Sequence, residues 1–135
     1  MTLKPPPKPC GSCPYRRDVP SGLWHPDEYA KLSAFDGAIP DQLHNGAHGV
    51  FMCHQNDGSL CGGWLATHGP ENLLALRLAR DVDPAVWNYD AGVEVFASGA
   101  EAALHGLQDV EEPSEEALRK INGLLKLQAK QGKKP

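Results

Sequence analysis

Apolar residues recur at helical spacing in two stretches of the second half of the chain. The first stretch covers residues 73–79 and follows Pro70, a residue that suits the first turn of a helix. It predicts the central core helix. The second stretch covers residues 117–125, follows Pro113 and places its apolar residues on one stripe. It predicts a last helix, which either packs on the domain or docks a partner.

Shorter patterns predict the remaining elements. A helix is expected to begin near Pro26, because proline and the carboxylates after it suit a helix N-terminus. Another helix is expected after Ser98, which has Glu101 three residues later in the form of a capping box. Residues 93–97 alternate weakly like a strand, and residues 36–49 are expected to form a loop.

Composition and charge narrow the class of protein. The 135 residues include 14 glycines and 12 prolines, which predicts many irregular connections rather than a simple helical bundle. The net charge is −4, from 13 basic and 17 acidic side chains, so a protein partner is favoured over nucleic acid. Arg16-Arg17 leaves room for a small nucleic-acid contact. With no apolar run near ~18 residues and no secretory signal, we expect no membrane association and a cytoplasmic location.

The four cysteines are the candidate chemistry: Cys10, Cys13, Cys53 and Cys61. In a reducing compartment, clustered thiols indicate metal ligands or a redox pair. The first two have the spacing at which one tight turn directs two sulfurs at one ion. The same spacing resembles a thioredoxin-type motif, but a proline-rich arm stands where that motif needs a strand.

A short β-hairpin is predicted to bring the other two cysteines together. Residues 56–58 form its loop, with Gly58 in the left-handed conformation, so that Cys53 opposes Cys61 on one face. His54 then falls on the opposite face and is not chosen as a ligand. Cys61 precedes a stretch that can open a helix, where unpaired N–H groups favour a thiolate.

We therefore predict one centre with four thiolate ligands, Cys10, Cys13, Cys53 and Cys61, and no catalytic residue. It joins two segments of the chain, with 39 residues between Cys13 and Cys53. Metal binding there adds folding free energy to a chain rich in loops. A 4Fe–4S cluster and Zn²⁺ both accept four thiolates and stay open as occupants. Four ordinary buried thiols or a dithiol redox pair are the remaining alternatives. His44 and His48 are spaced like two metal ligands, but we interpret them as ordinary histidines of a loop.

Several motifs resemble a family of short uncharacterised proteins from actinobacteria and their phages, a domain of unknown function. They are KPCGSCPYRR at residues 8–17, SGLW at 21–24, FMCHQ at 51–55 and CGGWL at 61–65, and the resemblance runs over residues 8–110. It implies a bacterial or phage cytoplasmic protein and no particular activity.

A weaker resemblance is to the WhiB-like iron–sulfur regulators of actinobacteria. It lies in the Cys-x-x-Cys-Pro segment at residues 10–14 and the turn at residues 22–24. The other two cysteines of this chain lie far downstream of that family's positions, and a comparable basic C-terminal motif is missing. The resemblance favours an iron–sulfur cluster over zinc.

Together these patterns predict one small, mostly helical α+β domain with a short β-hairpin and a four-cysteine metal centre. Residues 1–9 are expected to be a flexible proline-rich arm, residues 10–130 the metal-binding domain and residues 131–135 a frayed tail. The predicted function is a non-enzymatic binding or regulatory module. The alternatives are an iron–sulfur redox sensor or electron carrier, and a dithiol oxidoreductase using the Cys10–Cys13 pair.

Overall fold

The computed structural model describes residues 2–56 and 58–130. In that part of the chain the α-helices are short except for the last two. Their bounds are α1 Pro26–Ala30, α2 Ile39–His44, α3 Gly62–His68, α4 Leu74–Leu78, α5 Gly99–Leu107 and α6 Glu115–Lys130. Turns of 3₁₀ helix cover Leu32–Phe35, Pro70–Asn72 and Pro84–Asn88. The chain is a small single domain, 46% helical, with few residues in β-pairing.

Local capping explains where the two longest helices begin. Ser98 Oγ accepts a hydrogen bond from Glu101 N at 3.1 Å, and Glu101 Oε2 accepts one from Ala97 N at 3.2 Å. Ser114 Oγ accepts the N–H of Ala117 at 3.1 Å at the start of α6. Each hydroxyl satisfies an N–H group that has no partner inside its helix. The helix starts predicted after Ser98 and Pro113 are confirmed.

The prediction of a loop over residues 36–49 was wrong, because α2 lies within it. The side chain of Gln42, on this helix, is 1% exposed. Its Oε1 accepts the N–H of Leu74 at 3.0 Å and its Nε2 donates to Asn72 O at 2.7 Å. These bonds satisfy backbone groups at the start of α4, more than 25 residues further along the chain. A partner so distant leaves no local signal at residues 39–44.

The predicted core helix is also divided. A 3₁₀ turn and α4 replace one continuous helix, with Leu73 in extended conformation between them. Leu73 and Leu76 are buried, whereas Leu78 is 61% exposed at the end of α4. The expected core position of residues 73–76 is therefore confirmed, but not the helix length.

Isolated bridges replace the extended strands of a sheet in the described residues. Residues 2–9, the predicted arm, lie along the domain: Leu3 bridges Val82 and Lys4 bridges Ser59, both in parallel. Leu3 N donates to Asp81 O at 2.8 Å. The weak strand pattern at 93–97 yields one antiparallel bridge, between Arg16 and Val95.

The main core contains buried aromatic and aliphatic side chains from all parts of the described chain. Its fully buried large members are Tyr15, Tyr29, Leu32, Leu60, Trp64, Leu65, Leu73, Leu76 and Val86. Two of the four cysteines, Cys13 and Cys61, belong to the same cluster. The candidate site is therefore part of the core and not an appendage to it.

A second, smaller core attaches α6 to the N-terminal half. Ala117 and Leu124 pack with Val19 and Leu23. Lys120 Nζ donates to Gly11 O at 3.2 Å, which places the helix beside the first cysteine pair. The last helix thus packs on the domain over its described residues. The frayed tail predicted at 131–135 lies outside the described residues.

The helices of the described chain are too short or too polar to cross a membrane. The longest, α6, has charged residues at intervals along its whole length.

Substitution of Gly99 should destabilise the protein, because a Cβ there would meet the carbonyl oxygen of Leu32 and the N–H of Ser33. Backbone atoms cannot move aside as a flexible side chain can. We expect Gly99→Ala to lower the free energy of unfolding by about 1–3 kcal/mol. Urea denaturation of the purified protein measures this loss.

Gly123→Ala is the matched control, because this glycine is also helical and a Cβ there meets nothing within 4 Å. We expect Gly123→Ala to raise the free energy of unfolding by about 0.5–1 kcal/mol. Equal denaturation midpoints for the two variants would contradict the tight contact of α5 on residues 32–35.

Candidate four-cysteine site

The first cysteine pair lies on a turn held from several sides. Cys13 N donates to Cys10 O at 3.0 Å and closes the turn. Ser12 between them is 1% exposed. Its carbonyl oxygen accepts the indole N–H of Trp24 at 2.9 Å, and its hydroxyl accepts Gln55 Nε2 at 2.6 Å. The turn is therefore tied to the segment that carries the second pair.

The second cysteine pair lies on a tight antiparallel turn, but in a different register from the one predicted. The bridge joins Met52 to Leu60, and Cys53 N donates to Ser59 O at 2.9 Å. Cys53 therefore faces Ser59 and not Cys61, a shift of two residues. The hairpin amounts to this single bridge, and the prediction that Cys53 and Cys61 oppose each other was wrong.

The register depends on contacts from outside the turn. Gly58 has a φ of 82°, so the predicted left-handed glycine is confirmed. Leu60 N, however, donates to Lys4 O at 2.8 Å, and Lys4 bridges Ser59. The N-terminal arm thus pairs with the outer edge of this segment, on the side away from residues 51–53.

The sulfurs pair between the two segments instead of within them. Cys13 Sγ lies 3.7 Å from Cys61 Sγ. Cys10 and Cys53 lie close enough for each thiol to shift the pKa of the other, and Cys10 Sγ also lies 3.6 Å from Ser12 Oγ. Three of the thiols are at most 7% exposed, and Cys10 is half-buried. The structure thus places the predicted ligands in two crossed pairs, each with one cysteine from either segment.

Two glycines allow helix α3 to approach the first turn this closely. A Cβ on Gly63 would overlap Tyr15 Cβ and Cys13 Sγ, and one on Gly62 would overlap the hydroxyl of Tyr89. Cys61 is the N-cap of α3, as predicted. Without side chains at residues 62 and 63, the N-terminus of α3 can lie directly against the Cys13 sulfur.

Backbone N–H groups determine which sulfur of the buried pair carries negative charge. The pKa of Cys13 is lowered, first by the hydrogen bond from Cys61 and further by the N–H groups of Tyr15 and Gly63. The pKa of Cys61 is raised, first by burial and then by its bond to Cys13. The surroundings of the buried pair therefore favour negative charge on Cys13 over Cys61.

The second pair divides its protons in the same way. The pKa of Cys53 is lowered to about 5, chiefly by the hydrogen bond from Cys10, with the N–H groups of Asn56 and Gln55 adding to the effect. Asn56 N lies 3.3 Å from Cys53 Sγ. The pKa of Cys10 is raised, first by that bond to Cys53 and then by burial. In both pairs one thiol therefore has a lowered pKa and its neighbour a raised one.

The two pairs are electrostatic neighbours. Charge on Cys13 raises the pKa of Cys10, and charge on Cys53 raises that of Cys13. Within residues 2–56 and 58–130, however, there is no group of three or more histidine, cysteine, aspartate or glutamate side chains that could hold a metal ion. The single four-thiolate centre therefore stays a prediction, and it requires the pairs to draw closer together.

The histidines have other roles. His54 stacks on Trp24 with ring centroids 4.4 Å apart, and its Nε2 lies 3.3 Å from Glu28 Oε2. Its ring is directed to these partners and not to the sulfurs. His44, the last residue of α2, and His48 are exposed, so the prediction that both lie in a loop was wrong for His44.

Two buried polar groups beside the site were not found from the sequence. Ser12 holds the turn between the first two cysteines, as described above. The Tyr89 hydroxyl is buried with no hydrogen-bond partner in the described residues, and its pKa is raised by burial and by the charges of Cys13 and Cys61. Neither residue belongs to a recognisable motif, because each acquires its role through a contact between distant segments.

Comparison with known proteins gives one match. A profile described as "Family of unknown function (DUF6283)" matches residues 5–124, which include all four cysteines. No curated protein matches the chain, and no solved structure does. The actinobacterial or phage origin expected from the sequence stays a prediction.

Removal of the Cys10 thiol should raise the pKa of Cys53. In metal-free, reduced protein we expect one thiolate to titrate near pH 5, because Cys10 donates to Cys53. In Cys10→Ala that donor is lost, and we expect the titration to move upward toward the ordinary thiol pKa of 9.0. The ultraviolet absorbance of the thiolates, recorded as a function of pH, measures the titration in the wild type and in the variant.

The sign of the pH effect follows from the lowered pKa. Folding favours the Cys53 thiolate, so its stabilising contribution is complete above pH 9 and is lost as the pH falls toward about 5. Cys53→Ser is the control, since it should abolish the titration near pH 5. If Cys10→Ala left the midpoint of the Cys53 titration unchanged, this would contradict the contact between Cys10 and Cys53.

Proposed function

The chain belongs to the family of unknown function DUF6283, and we propose that it is a small metal-binding domain that serves as a non-enzymatic binding or regulatory module. The proposed ligands are Cys10, Cys13, Cys53 and Cys61. The centre would join the N-terminal turn to residues 53–61 and add metal-binding free energy to that of folding.

The observation that carries this proposal is the distance between paired sulfurs. Four sulfurs at 2.3 Å from a tetrahedral zinc ion lie about 3.8 Å from one another. Cys13 and Cys61 lie 3.7 Å apart, close to this separation. Cys10 and Cys53 also interact, because each thiol shifts the pKa of the other. The Cys13–Cys61 pair is therefore spaced as two ligands of one ion, with the second pair as its neighbour.

The backbone around the sulfurs supports the same proposal. N–H groups of Tyr15, Gly63, Asn56 and Gln55 reduce the pKa of Cys13 or Cys53, and that of Trp64 acts on Cys61 in the same direction. Donors that lower a thiol pKa favour the anionic ligand that a metal needs. An ordinary buried thiol has no need of such an arrangement.

Zinc is the proposed occupant. In a 4Fe–4S cluster each cysteine binds a different iron, which separates the sulfurs more than the 3.7 Å of Cys13 and Cys61. An iron–sulfur centre stays the second candidate through a two-iron cluster, because each of its irons takes two of the four thiolates. The division of the sulfurs into two pairs favours that alternative.

A closed four-thiolate site supports a structural role for the ion. Four protein ligands leave zinc no open position for a water or substrate. The dithiol oxidoreductase alternative needs Cys10 and Cys13 to react with each other. In the structure Cys13 Sγ contacts Cys61 Sγ, and Cys10 Sγ contacts Ser12 Oγ and interacts with Cys53. We therefore propose a binding role over an enzymatic one.

The proposed partner is a protein with basic and apolar groups. Leu104 is 70% and Leu107 43% exposed on α5. Leu107 also lines a surface groove of about 540 Å³, together with Pro26 and residues 109–112. Residues 101–118 contain six carboxylates and no lysine or arginine. Such a surface complements a positively charged amphipathic segment and repels nucleic acid. A cytoplasmic location is part of the proposal.

Metal content tests the proposed centre. We expect the protein purified under anaerobic conditions to be colourless and to hold one zinc ion per chain. Cys13→Ser should lose the ion, and a strong chelator should unfold the wild type or lower its melting temperature markedly, since metal binding contributes to folding. Elemental analysis and thermal unfolding by circular dichroism measure these effects.

His54→Ala is the matched control. It lies next to Cys53 in sequence but its ring contacts Trp24 and Glu28, so we expect full zinc content. A brown protein with broad visible absorbance would indicate that the site holds an iron–sulfur cluster instead of zinc. A chain that takes up no metal after reduction and reconstitution would refute the proposed function.

A second experiment tests the partner surface. We expect affinity capture from a bacterial lysate to retain a protein on the wild-type chain and to lose it with the double variant Leu104→Asp/Leu107→Asp. The control is Leu43→Asp, because Leu43 is 64% exposed on α2. Equal recovery on all three proteins, or loss with Leu43→Asp as well, would contradict this assignment.

A further inference from the structure

We propose that the four cysteines also form a peroxide-responsive switch, in which the crossed pairs Cys10–Cys53 and Cys13–Cys61 become two disulfides and release the bound ion. The release step rests on the proposed metal centre. The pairing of the thiols does not, because it is a property of the polypeptide alone.

The geometry of the sulfurs selects the crossed pairing. Cys13 Sγ and Cys61 Sγ are 3.7 Å apart, and a disulfide bond needs about 2.05 Å. Cys10 and Cys53 lie close enough for each thiol to shift the pKa of the other. Both bonds can therefore form by small side-chain movements. The spacing of Cys10 and Cys13 in the sequence suggests the opposite pairing, as in a dithiol oxidoreductase.

Exposure predicts the order of the two steps. Cys10 is half-buried, whereas Cys13 and Cys61 are 1% and 3% exposed. A small oxidant in solvent reaches the Cys10–Cys53 pair first. The Cys13–Cys61 pair lies in the main core and becomes reachable after the first disulfide has removed two of the four ligands.

The chemistry balances with hydrogen peroxide as the oxidant. One sulfur of a pair attacks peroxide, the O–O bond breaks, and a sulfenic acid and water form. The second sulfur of the pair attacks that sulfur as a thiolate, the S–O bond breaks, and the departing oxygen leaves as a second water. Each pair loses two electrons to one peroxide. A zinc-bound set of four thiolates consumes two peroxides and four protons, and yields two disulfides, four waters and one free ion.

Oxidation weakens metal binding because a disulfide sulfur carries no negative charge for the ion. The two disulfides would also hold the N-terminal turn against residues 53–61 covalently. Lys120, on α6, donates to Gly11 O in that turn. The oxidised turn therefore stays within reach of the C-terminal helix, and the protein would exchange a metal crosslink for a covalent one.

Double variants of the full-length, reduced, metal-free chain test the pairing. Cys10→Ser/Cys53→Ser leaves the Cys13–Cys61 pair, and Cys13→Ser/Cys61→Ser leaves the Cys10–Cys53 pair. Cys53→Ser/Cys61→Ser leaves Cys10 and Cys13 as the control. With hydrogen peroxide we expect the first two to form an intramolecular disulfide about tenfold faster than the control, because contact in the folded chain raises the effective concentration. Free-thiol assay and intact mass measure the rates.

The wild-type chain provides a measurement that does not depend on how the variants fold. After peroxide treatment, trypsin and an endoproteinase that cuts before Asp57 separate Cys53 from Cys61 but leave Cys10 and Cys13 on one peptide. We expect that peptide to be disulfide-linked to both others. A disulfide closed between Cys10 and Cys13, or sulfinic and sulfonic acids without links, would overturn the inference.

Metal release separates this inference from the proposed function. For zinc-loaded wild type, we expect a chromogenic chelator to report one ion freed for two peroxides consumed. A protein that keeps its zinc in peroxide would overturn the switch and leave the metal centre standing. A protein that binds no zinc but forms the crossed disulfides would refute the centre and support the thiol pairing.

Discussion

The contact between sulfurs of two distant segments is the constraint on which the arrangement of this domain depends. Cys13 lies at van der Waals distance from Cys61, and Cys10 interacts with Cys53. For this to happen, helix α3 must begin directly against the N-terminal turn, and a glycine at position 63 is the residue that permits it. The surrounding core and the charges on the thiols both follow from that approach.

The same constraint accounts for the polar groups buried nearby. Ser12 accepts bonds from Trp24 and Gln55, so the turn is held even without a crosslink. Because Lys120 reaches Gly11 and a small apolar core joins α6 to the same half of the chain, the C-terminal helix rests on this turn. The candidate site and the C-terminal helix are therefore joined through this turn.

Signals that act over a few residues were predicted well. The serine caps at 98 and 114, the left-handed Gly58 and the helix after Cys61 all depend on hydrogen bonds or backbone sterics within one turn. The four cysteines were identified as one group by their number and spacing. The candidate residues could thus be named from the sequence, since cysteine clusters are rare and chemically distinctive, while their role as metal ligands stays a prediction.

The pairing of those cysteines could not be obtained in this way. A hairpin taken alone places Cys53 opposite Cys61, but in the folded chain Leu60 N also donates to Lys4 O, and the register of the turn differs from the prediction by two residues. Helix α2 was missed for a similar reason, because Gln42 finds its partners beyond residue 70. Local chemistry is encoded within a few neighbouring residues, whereas register and sulfur pairing result from competition among segments that meet only when the whole chain has folded.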